Sequence, residues 1–502
     1  MHDRLPPLDS SLRVRIAPAP SGDLHVGNVR AALFNWALAR RHGGTFVLRV
    51  EDTDASRVTD AFVAAAQRDL SWVGLDWDEG PGIGGPCAPY RQSERLEIYR
   101  EAVDRLLASG AAYRAFDTPA ELAAARAEAA AEKRAFRYDG SRWQALPIAA
   151  SAARAATGEP FVVRLSMPPG STTWSDLVRG QVTIEHAEIA DVTLTRVDSS
   201  PLYMLAASVD DIAMGLTHIV RGEDLISAVP RQLALYAALG HPRERWPAFA
   251  HLPMVNGPDG KPLSKRNGET SLAWYRDAGF LPEAVLNYLG QLGWSLPVVA
   301  GEQESRELFT VHEMVAGFSL ERVQRNPAQF DLAKLEALNG QWLRRLPLPE
   351  LGARVRPWLA AAGVTVPDEL LDRALPELAS RLHRLSDAAE LLRPLATVGF
   401  AVDEGDAAAL LVAEAVDLLT IALDVLADEG LAWGSEAILA VLRAAMERLG
   451  RKPRQAFPVL YVAVSGRRSG YPLTTLMELL GRAVTLARLR AALERAGGAA
   501  RA

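Results

Sequence analysis

Arg13-Val14-Arg15-Ile16-Ala17-Pro18-Ala19-Pro20-Ser21-Gly22-Asp23-Leu24-His25-Val26-Gly27-Asn28 is the stretch on which the reading of the fold turns. Residues 13–17 read as a strand. Pro18, Pro20 and Gly22 cannot extend it and force a turn. The run from Asp23 to Asn28 leads into a helix over 29–41, with Ala32, Leu33, Trp36 and Ala37 at helical spacing. Gly43-Gly44 stops that helix, as left-handed C-caps do. A second strand over 45–50 ends in Glu51-Asp52-Thr53-Asp54. Strand, turn, helix and strand in this order begin a parallel α/β sheet. Such a sheet binds ligands where strands end and helices begin, because the first helical N–H groups and the positive dipole end attract phosphate. His25 can donate to a phosphate oxygen there. Gly27, lacking a Cβ, lets a base or ribose lie against the backbone, and Glu51 lies at a strand end. A His-x-Gly tetrad is a weak signal by itself, and Pro18, Pro20 and Gly22 also serve as plain loop punctuation.

Outward from that stretch, the strand–helix alternation continues through the first 110 residues. Residues 120–135 are rich in Ala, Glu and Arg and read as helix. Residues 160–200 change style, with β-like runs at 161–165 and 192–195, and look like an insertion. The α/β style resumes near Tyr203 and runs to Trp246. From Leu272 onward the pattern is almost entirely helical, and 407–427, cut by Glu414, Asp417 and Asp424, reads as a helix with a buried stripe. No internal repeat is present.

Composition bounds the function classes. At roughly 100–200 residues per domain, 502 residues imply several domains. Hydrophobic residues at 49% and charged residues at 23% exclude a disordered chain or a coiled-coil rod. The single cysteine, Cys87, excludes internal disulfides and Cys-cluster metal sites and fits a reducing cytoplasm. A net charge of −6 argues against coating nucleic acid through bulk charge but leaves room for a local basic face. The first eleven residues lack the apolar core of a signal peptide, and no run of about twenty uncharged apolar residues suggests a membrane span.

A second segment carries chemistry. After the turn Pro258-Asp259-Gly260 comes Lys261-Pro262-Leu263-Ser264-Lys265-Arg266-Asn267-Gly268. Lys261, Lys265 and Arg266 on a Gly/Pro-flanked loop cannot be core. One reading is a solvated surface loop. The other is a clamp on polyphosphate, a task that suits lysine as a point charge on a flexible stem.

Together the two segments resemble the signatures of class I aminoacyl-tRNA synthetases: His25-Val26-Gly27-Asn28 as the His-containing tetrapeptide, and Leu263-Ser264-Lys265-Arg266 with Lys261 as the lysine loop. Arg15-Ile16-Ala17-Pro18, Arg49 to Asp54, Tyr90-Arg91-Gln92-Ser93, Val209-Asp210-Asp211, Arg221-Gly222-Glu223-Asp224 and Leu338-Asn339-Gly340 narrow the resemblance to the bacterial glutamyl-tRNA synthetases. The likeness is collinear from residue 13 to about 345 and looser beyond. It implies an α/β, Rossmann-like catalytic domain (1–96 and 198–250) with an inserted domain for the tRNA acceptor end (97–197). A lysine-loop and stem-contact domain (251–338) and an all-α anticodon-binding region in two parts (339–400 and 401–502) follow.

The activity implied is ligation of L-glutamate to tRNA-Glu through glutamyl-adenylate, with ATP and its Mg²⁺, by a cytoplasmic monomer. By the same resemblance the catalytic residues are His25, Lys261 and Lys265. Glutamate falls to Arg15, Ala17, Glu51, Tyr203 and Arg221, and ATP to His25, Gly27, Asn28, Glu223, Ser264 and Lys265. Arg381 is the implied anticodon reader. Ala115-Phe116-Asp117 stands where many relatives carry cysteines, so no structural zinc is expected. Around the amino-acid site the chain departs from the family: Ala19-Pro20-Ser21 replaces Ser-Pro-Thr, Ala207 replaces a common polar residue, and Ser199-Ser200-Pro201 replaces Gly-Tyr-Pro. Two alternatives stay open: an enzyme that also or chiefly glutamylates tRNA-Gln, and a catalytically silent tRNA-binding paralogue.

Overall fold

In the computed structural model, which describes residues 12–19, 24–54, 59–263, 271–298, 304–396 and 400–499, the expected opening is present. Strand β1 (Arg13–Ile16) leads to helix α1 (Val26–His42) and strand β2 (Thr45–Leu48), which runs parallel to β1 with Arg13 opposite Thr45. The helix starts three residues earlier than its apolar spacing indicates, because the His25 side chain caps it by accepting the Gly27 amide. It ends at Gly43 with φ 63°, a conformation glycine adopts without a Cβ clash. β2 is two residues shorter than expected. The Arg49 amide donates to the Ile16 carbonyl, and Val50 bridges to the 90–92 segment instead, its amide donating to the Tyr90 carbonyl and its carbonyl accepting the Gln92 amide.

The chain divides into two compact units, 1–276 with 285–332 and 277–284 with 333–502. In the first, α2 (Asp60–Trp72) and α3 (Leu96–Ala108) precede β3 (Ala112–Ala115). Helices α4 (Pro119–Ala131), α5 (Ser141–Gln144) and α6 (Ile148–Ala156) follow, and then β4 (Val162–Leu165), antiparallel to β3. Next come the hairpin β5 (Ser171–Asp176) and β6 (Gly180–Glu185), helix α7 (Tyr203–Ala213), β7 (His218–Gly222), α8 (Val229–Ala238) and β8 (Ala248–Leu252). These strands form one sheet in the order β6-β5-β8-β7, with β8 parallel to both neighbours. β1 lies beside β7, where the Thr217 amide donates to the Arg13 carbonyl at 3.0 Å. The short strands β9 (Val255–Asn256) and β10 (Ala328–Gln329) pair in parallel, so the chain beyond 272 is not wholly helical.

Leu33, Phe34 and Ala37 of α1 and Phe46, Val47 and Leu48 of β2 are fully buried. At roughly 1.5–3 kcal/mol per large apolar side chain, this burial holds the helix to the sheet. α7 contributes charge to the interior. Asp211 receives Arg49 Nη1 at 2.7 Å, while Asp210 receives Arg95 Nε at 2.7 Å, the Tyr99 hydroxyl at 2.8 Å and the Gln92 amide at 2.9 Å.

The second unit is helical in its described residues, with Leu348–Ala361, Asp368–Arg381, Val416–Ala427, Ser435–Arg448 and Pro453–Ser465 among its helices. The Tyr471 hydroxyl donates to the Ala374 carbonyl at 2.9 Å. The stretch 407–427 is broken rather than continuous. Helix Glu404–Leu410 stops at Leu411 (φ −93°, ψ 61°) and a 3₁₀ turn, Ala413–Ala415, precedes the next helix. The break buries Leu411 and Ala415 and leaves the Glu414 carbonyl to the Arg451 guanidinium. Among the described residues, no helix is long and apolar enough to cross a membrane.

Candidate active site

The carboxyl ends of β1, β7 and β8 and the amino end of α1 surround one cleft of about 320 Å³. This is the edge at which open α/β sheets receive ligands. Arg15 and Ala17 come from the end of β1, His25, Gly27, Asn28 and Arg30 from the start of α1, and Glu51 from beyond β2. Tyr203 opens α7, Arg221 and Gly222 close β7, Leu252 closes β8, and Pro253 and Met254 follow it. Eight of the residues expected at the site from the sequence therefore share one cavity: Arg15, Ala17, His25, Gly27, Asn28, Glu51, Tyr203 and Arg221.

The imidazole of His25 folds back over its own helix. Its Nδ1 accepts the Gly27 N–H at 3.1 Å, which leaves the ring proton on Nε2. A Cβ on residue 27 would lie 2.9 Å from His25 Cε1, so the glycine makes room for the histidine as well as for a ligand. The chain on either side of the lysine loop returns to the same place. Leu263 lines the cleft, while Ser271 bridges to His25 and the Leu272 amide donates to the Leu24 carbonyl at 2.8 Å. Ser264 and Lys265 lie outside the described residues. Lys261 is exposed, its amide bonded to Asp259, and does not line the cleft.

The electrostatics are lopsided. Arg15 and Arg221 are 5% and 4% exposed, and among the described residues Arg15 Nε and Arg221 Nη1 have no hydrogen-bond partner. Burial lowers the pKa of Arg221. Glu51 is the largely buried acid of the cleft. Burial pushes its carboxyl up, against the pull of Arg49 and Arg15, and Arg49 Nη2 holds Oε1 at 3.0 Å. Burial, and then the charge of Glu51, push the Tyr203 hydroxyl up. Of the three buried arginines of the cleft, Arg30 bonds backbone carbonyls, which leaves Arg15 and Arg221 with Glu51 around the cavity, and the second acid of the lining, Asp224, is exposed.

Glu223 stands beside this cavity rather than in its lining. Its Oε1 accepts the Met254 amide at 2.7 Å and its Oε2 faces Arg179, so it shapes the loop after β8. Arg381 closes a helix of the second unit, with Nε 2.9 Å from Glu377 Oε1.

Three residues at or behind the cleft were not singled out from the sequence. Arg30 is buried and donates to the carbonyls of Leu292 (2.6 Å) and Pro253 (2.8 Å), and burial lowers its pKa to about 10. A cation among the apolar positions of α1 was the available signal. His251 and Asp176 lie behind Arg221. A histidine inside the apolar run Ala248-Phe249-Ala250-His251-Leu252 could have flagged the first, but nothing local connects it to Asp176.

The model of the family described as "tRNA synthetases class I (E and Q), catalytic domain" matches residues 11–337, and that of an anticodon binding domain matches 350–493. The chain is similar to the glutamate–tRNA ligase of a Nocardioides species, 46% identical over 96% of this chain and 99% of that one. It is also similar to the glutamate–tRNA ligase of Mycolicibacterium vanbaalenii, 45% identical over 97% and 98%. Among solved structures, a glutamate tRNA ligase from Elizabethkingia meningosepticum in complex with its amino acid superposes with a TM-score of 0.83, at 30% identity over 96% of this chain and 99% of that one. With the sheet-edge cleft, the capped His25 and these full-length similarities, the chain belongs to the class I tRNA synthetases of the E and Q group.

Proposed function

We propose that this chain ligates L-glutamate to tRNA-Glu through a glutamyl-adenylate made with ATP. The observation that carries this reading is the pair of buried guanidinium groups Arg15 and Arg221 in one cleft with the largely buried carboxylate of Glu51, while Arg30 is taken up by the carbonyls of Leu292 and Pro253 and Asp224 is exposed. Glutamate is the inverse, two carboxylates and one ammonium. Arg15 and Arg221 then each gain a counter-charge on binding, which is what makes their burial tolerable. The relatives of similar length, all glutamate–tRNA ligases, support the same substrate.

In this reading Arg15 and Arg221 bind the carboxylates, Glu51 holds the ammonium, and Ala17 and Tyr203 complete the wall. A glutamate carboxylate oxygen attacks the α-phosphorus, the bond to the bridging oxygen breaks, and pyrophosphate leaves. The terminal ribose hydroxyl of tRNA then attacks the activated carbonyl, loses its proton and expels AMP. The first step asks the protein for charge stabilisation more than for a base. His25 Nε2–H and the start of α1 at Asn28 serve the phosphates, while Gly27, whose amide is taken by His25 Nδ1, leaves room for the nucleotide. Ser264, Lys265 and Lys261 serve them from the loop, and Glu223 supports the ATP site through the Met254 backbone it holds. Mg²⁺ enters as the counter-ion of ATP.

The test is charging of tRNA-Glu and tRNA-Gln side by side with ATP, Mg²⁺ and glutamate. Glutamyl-tRNA-Glu is the expected product, and charging with a different amino acid, or none, overturns the reading. Glutamyl-tRNA-Gln as the main product overturns the choice of tRNA alone. Lys265→Ala should slow turnover by about 100- to 1000-fold, the usual cost of one lost electrostatic stabiliser.

A further inference from the structure

Behind Arg221 a single file of polar groups crosses the sheet. β7 and β8 are in parallel register with Arg221 opposite His251, so both side chains leave the same face. On the other side of β8, Asp176 of β5 is paired with Phe249, two residues before His251 and on that same face. The three polar side chains are 4%, 0% and 3% exposed, in the order Arg221, His251 and Asp176. Arg221 Nε lies 3.1 Å from His251 Nε2, and His251 Nδ1 lies 2.5 Å from Asp176 Oδ2. Arg221 Nη2 donates to the Leu225 carbonyl at 3.1 Å, and the guanidinium lies 5.5 Å from the centre of the Phe249 ring. Of the Arg221 guanidinium nitrogens, Nη1 alone has no partner among the described residues.

The protonation pattern follows from donor counting. An arginine Nε can only donate, so His251 Nε2 must present its lone pair. The ring proton therefore resides on Nδ1, where the Asp176 carboxylate accepts it. Asp176 is itself fixed, because its Oδ1 accepts the amides of Val178 (3.1 Å), Arg179 (2.9 Å) and His251 (3.1 Å). An imidazolium, or the other tautomer, would set N–H against N–H at Arg221.

We propose that His251 is a positioning residue for amino-acid recognition: held by Asp176 with its proton on Nδ1, it fixes the Arg221 guanidinium and aims Nη1 at a carboxylate of glutamate. This rests on the reading of the cleft as a glutamate site. The sheet register supplies the geometry, and neither His251 nor Asp176 touches the substrate.

Three variants separate the role from simple packing. His251→Phe keeps an aromatic ring but removes the acceptor. His251→Gln returns an acceptor to Arg221 and a donor to Asp176. In Asp176→Asn, the three amides hold the side-chain oxygen at Oδ1, so the new NH₂ donates to His251 Nδ1 and drives the ring proton to Nε2. Glutamate and ATP KM are measured by tRNA-dependent ATP–pyrophosphate exchange. His251→Phe and Asp176→Asn should each raise the glutamate KM by about tenfold or more, the scale of an unmatched buried charged donor, and leave the ATP KM within about twofold. His251→Gln should recover most of the loss.

A glutamate KM unchanged in His251→Phe overturns the proposal, as do equal losses for both substrates that Gln does not repair. Should the variants fail to fold, the ¹⁵N shifts of His251 in the wild-type protein decide: an Nδ1–H ring supports the proposal and an Nε2–H ring ends it. That spectrum stands apart from catalysis. If the wild-type enzyme charges no tRNA with glutamate, the substrate reading falls whatever the tautomer.

Discussion

The arginines of the cleft and those of the helical unit are placed in opposite ways. Arg15, Arg221 and Arg30 are buried, each with a guanidinium nitrogen that has no partner among the described residues, although Arg30 is otherwise held by two backbone carbonyls. Arg354, Arg381, Arg384 and Arg393 are half-exposed, and each meets a glutamate of its own unit. Arg49 forms a third case: its Nε also lacks a hydrogen bond among the described residues, but its charge is shared among Glu51, Asp210 and Asp211. Burying a cation is costly unless something answers its charge. For Arg49 the fold itself answers. For Arg15 and Arg221 a ligand must, whereas water largely answers for the surface set and makes its pairs weak.

The largest effect that can break this comparison is on stability. Arg49→Met takes the cation from Asp211 and Glu51, beside an Asp210 that keeps Arg95, and should cost about 3–5 kcal/mol of unfolding free energy. Arg221→Met removes an unmatched charge and should cost less than about 1 kcal/mol, or even stabilise, while raising the glutamate KM by roughly 100-fold. Denaturant unfolding and pyrophosphate exchange on the two variants give the answer. Equal destabilisation would place Arg221 with the scaffold.

A smaller effect separates arginine from histidine. An arginine cannot shed its proton, but a histidine can. His218 is 3% exposed, and burial, then the charge of His42, lower its pKa to about 4. The unfolded chain takes up that proton near pH 6.5 and the folded chain only near 4, so stability is full above 6.5 and falls as pH drops through that window. The loss is on the order of 3 kcal/mol. His251, also lowered by burial, adds to the same slope. His218→Phe should flatten the acid limb of unfolding midpoint against pH, and an unchanged slope would show that His218 does not carry it.

The smallest effect concerns the surface set. Arg381→Ala should change stability by no more than about 0.5 kcal/mol, the usual value of an exposed pair four residues apart on a helix. If Arg381 also contacts tRNA, the tRNA KM should rise on the order of fivefold with the glutamate KM unchanged. No change in either constant would confine Arg381 to its pair with Glu377.

Much of the cleft was legible in the sequence. Prolines and glycines punctuate locally, and helical spacing reports a buried face, so β1, the turn and α1 followed from residues 13–44. Arg15, Glu51, Tyr203 and Arg221 were reachable because their neighbours keep a family's order over hundreds of positions. Misreadings came where local pattern and tertiary demand diverge. The helix began early because a histidine served as its cap, a role usually taken by Ser, Thr, Asp or Asn. The stretch 407–427 broke because Leu411 and Ala415 are buried at the turn.

The sequence by itself determined where strands and helices form and which chemical groups this protein owns, since propensity, periodicity and turn chemistry act over a few residues. Only the tertiary structure decided which of those groups are answered from within. That Arg49 is matched and Arg221 is not, and that Asp176 reaches Arg221 through His251, depends on strand register between segments far apart in the chain. Register is set by packing whole elements together, and no single segment carries that information.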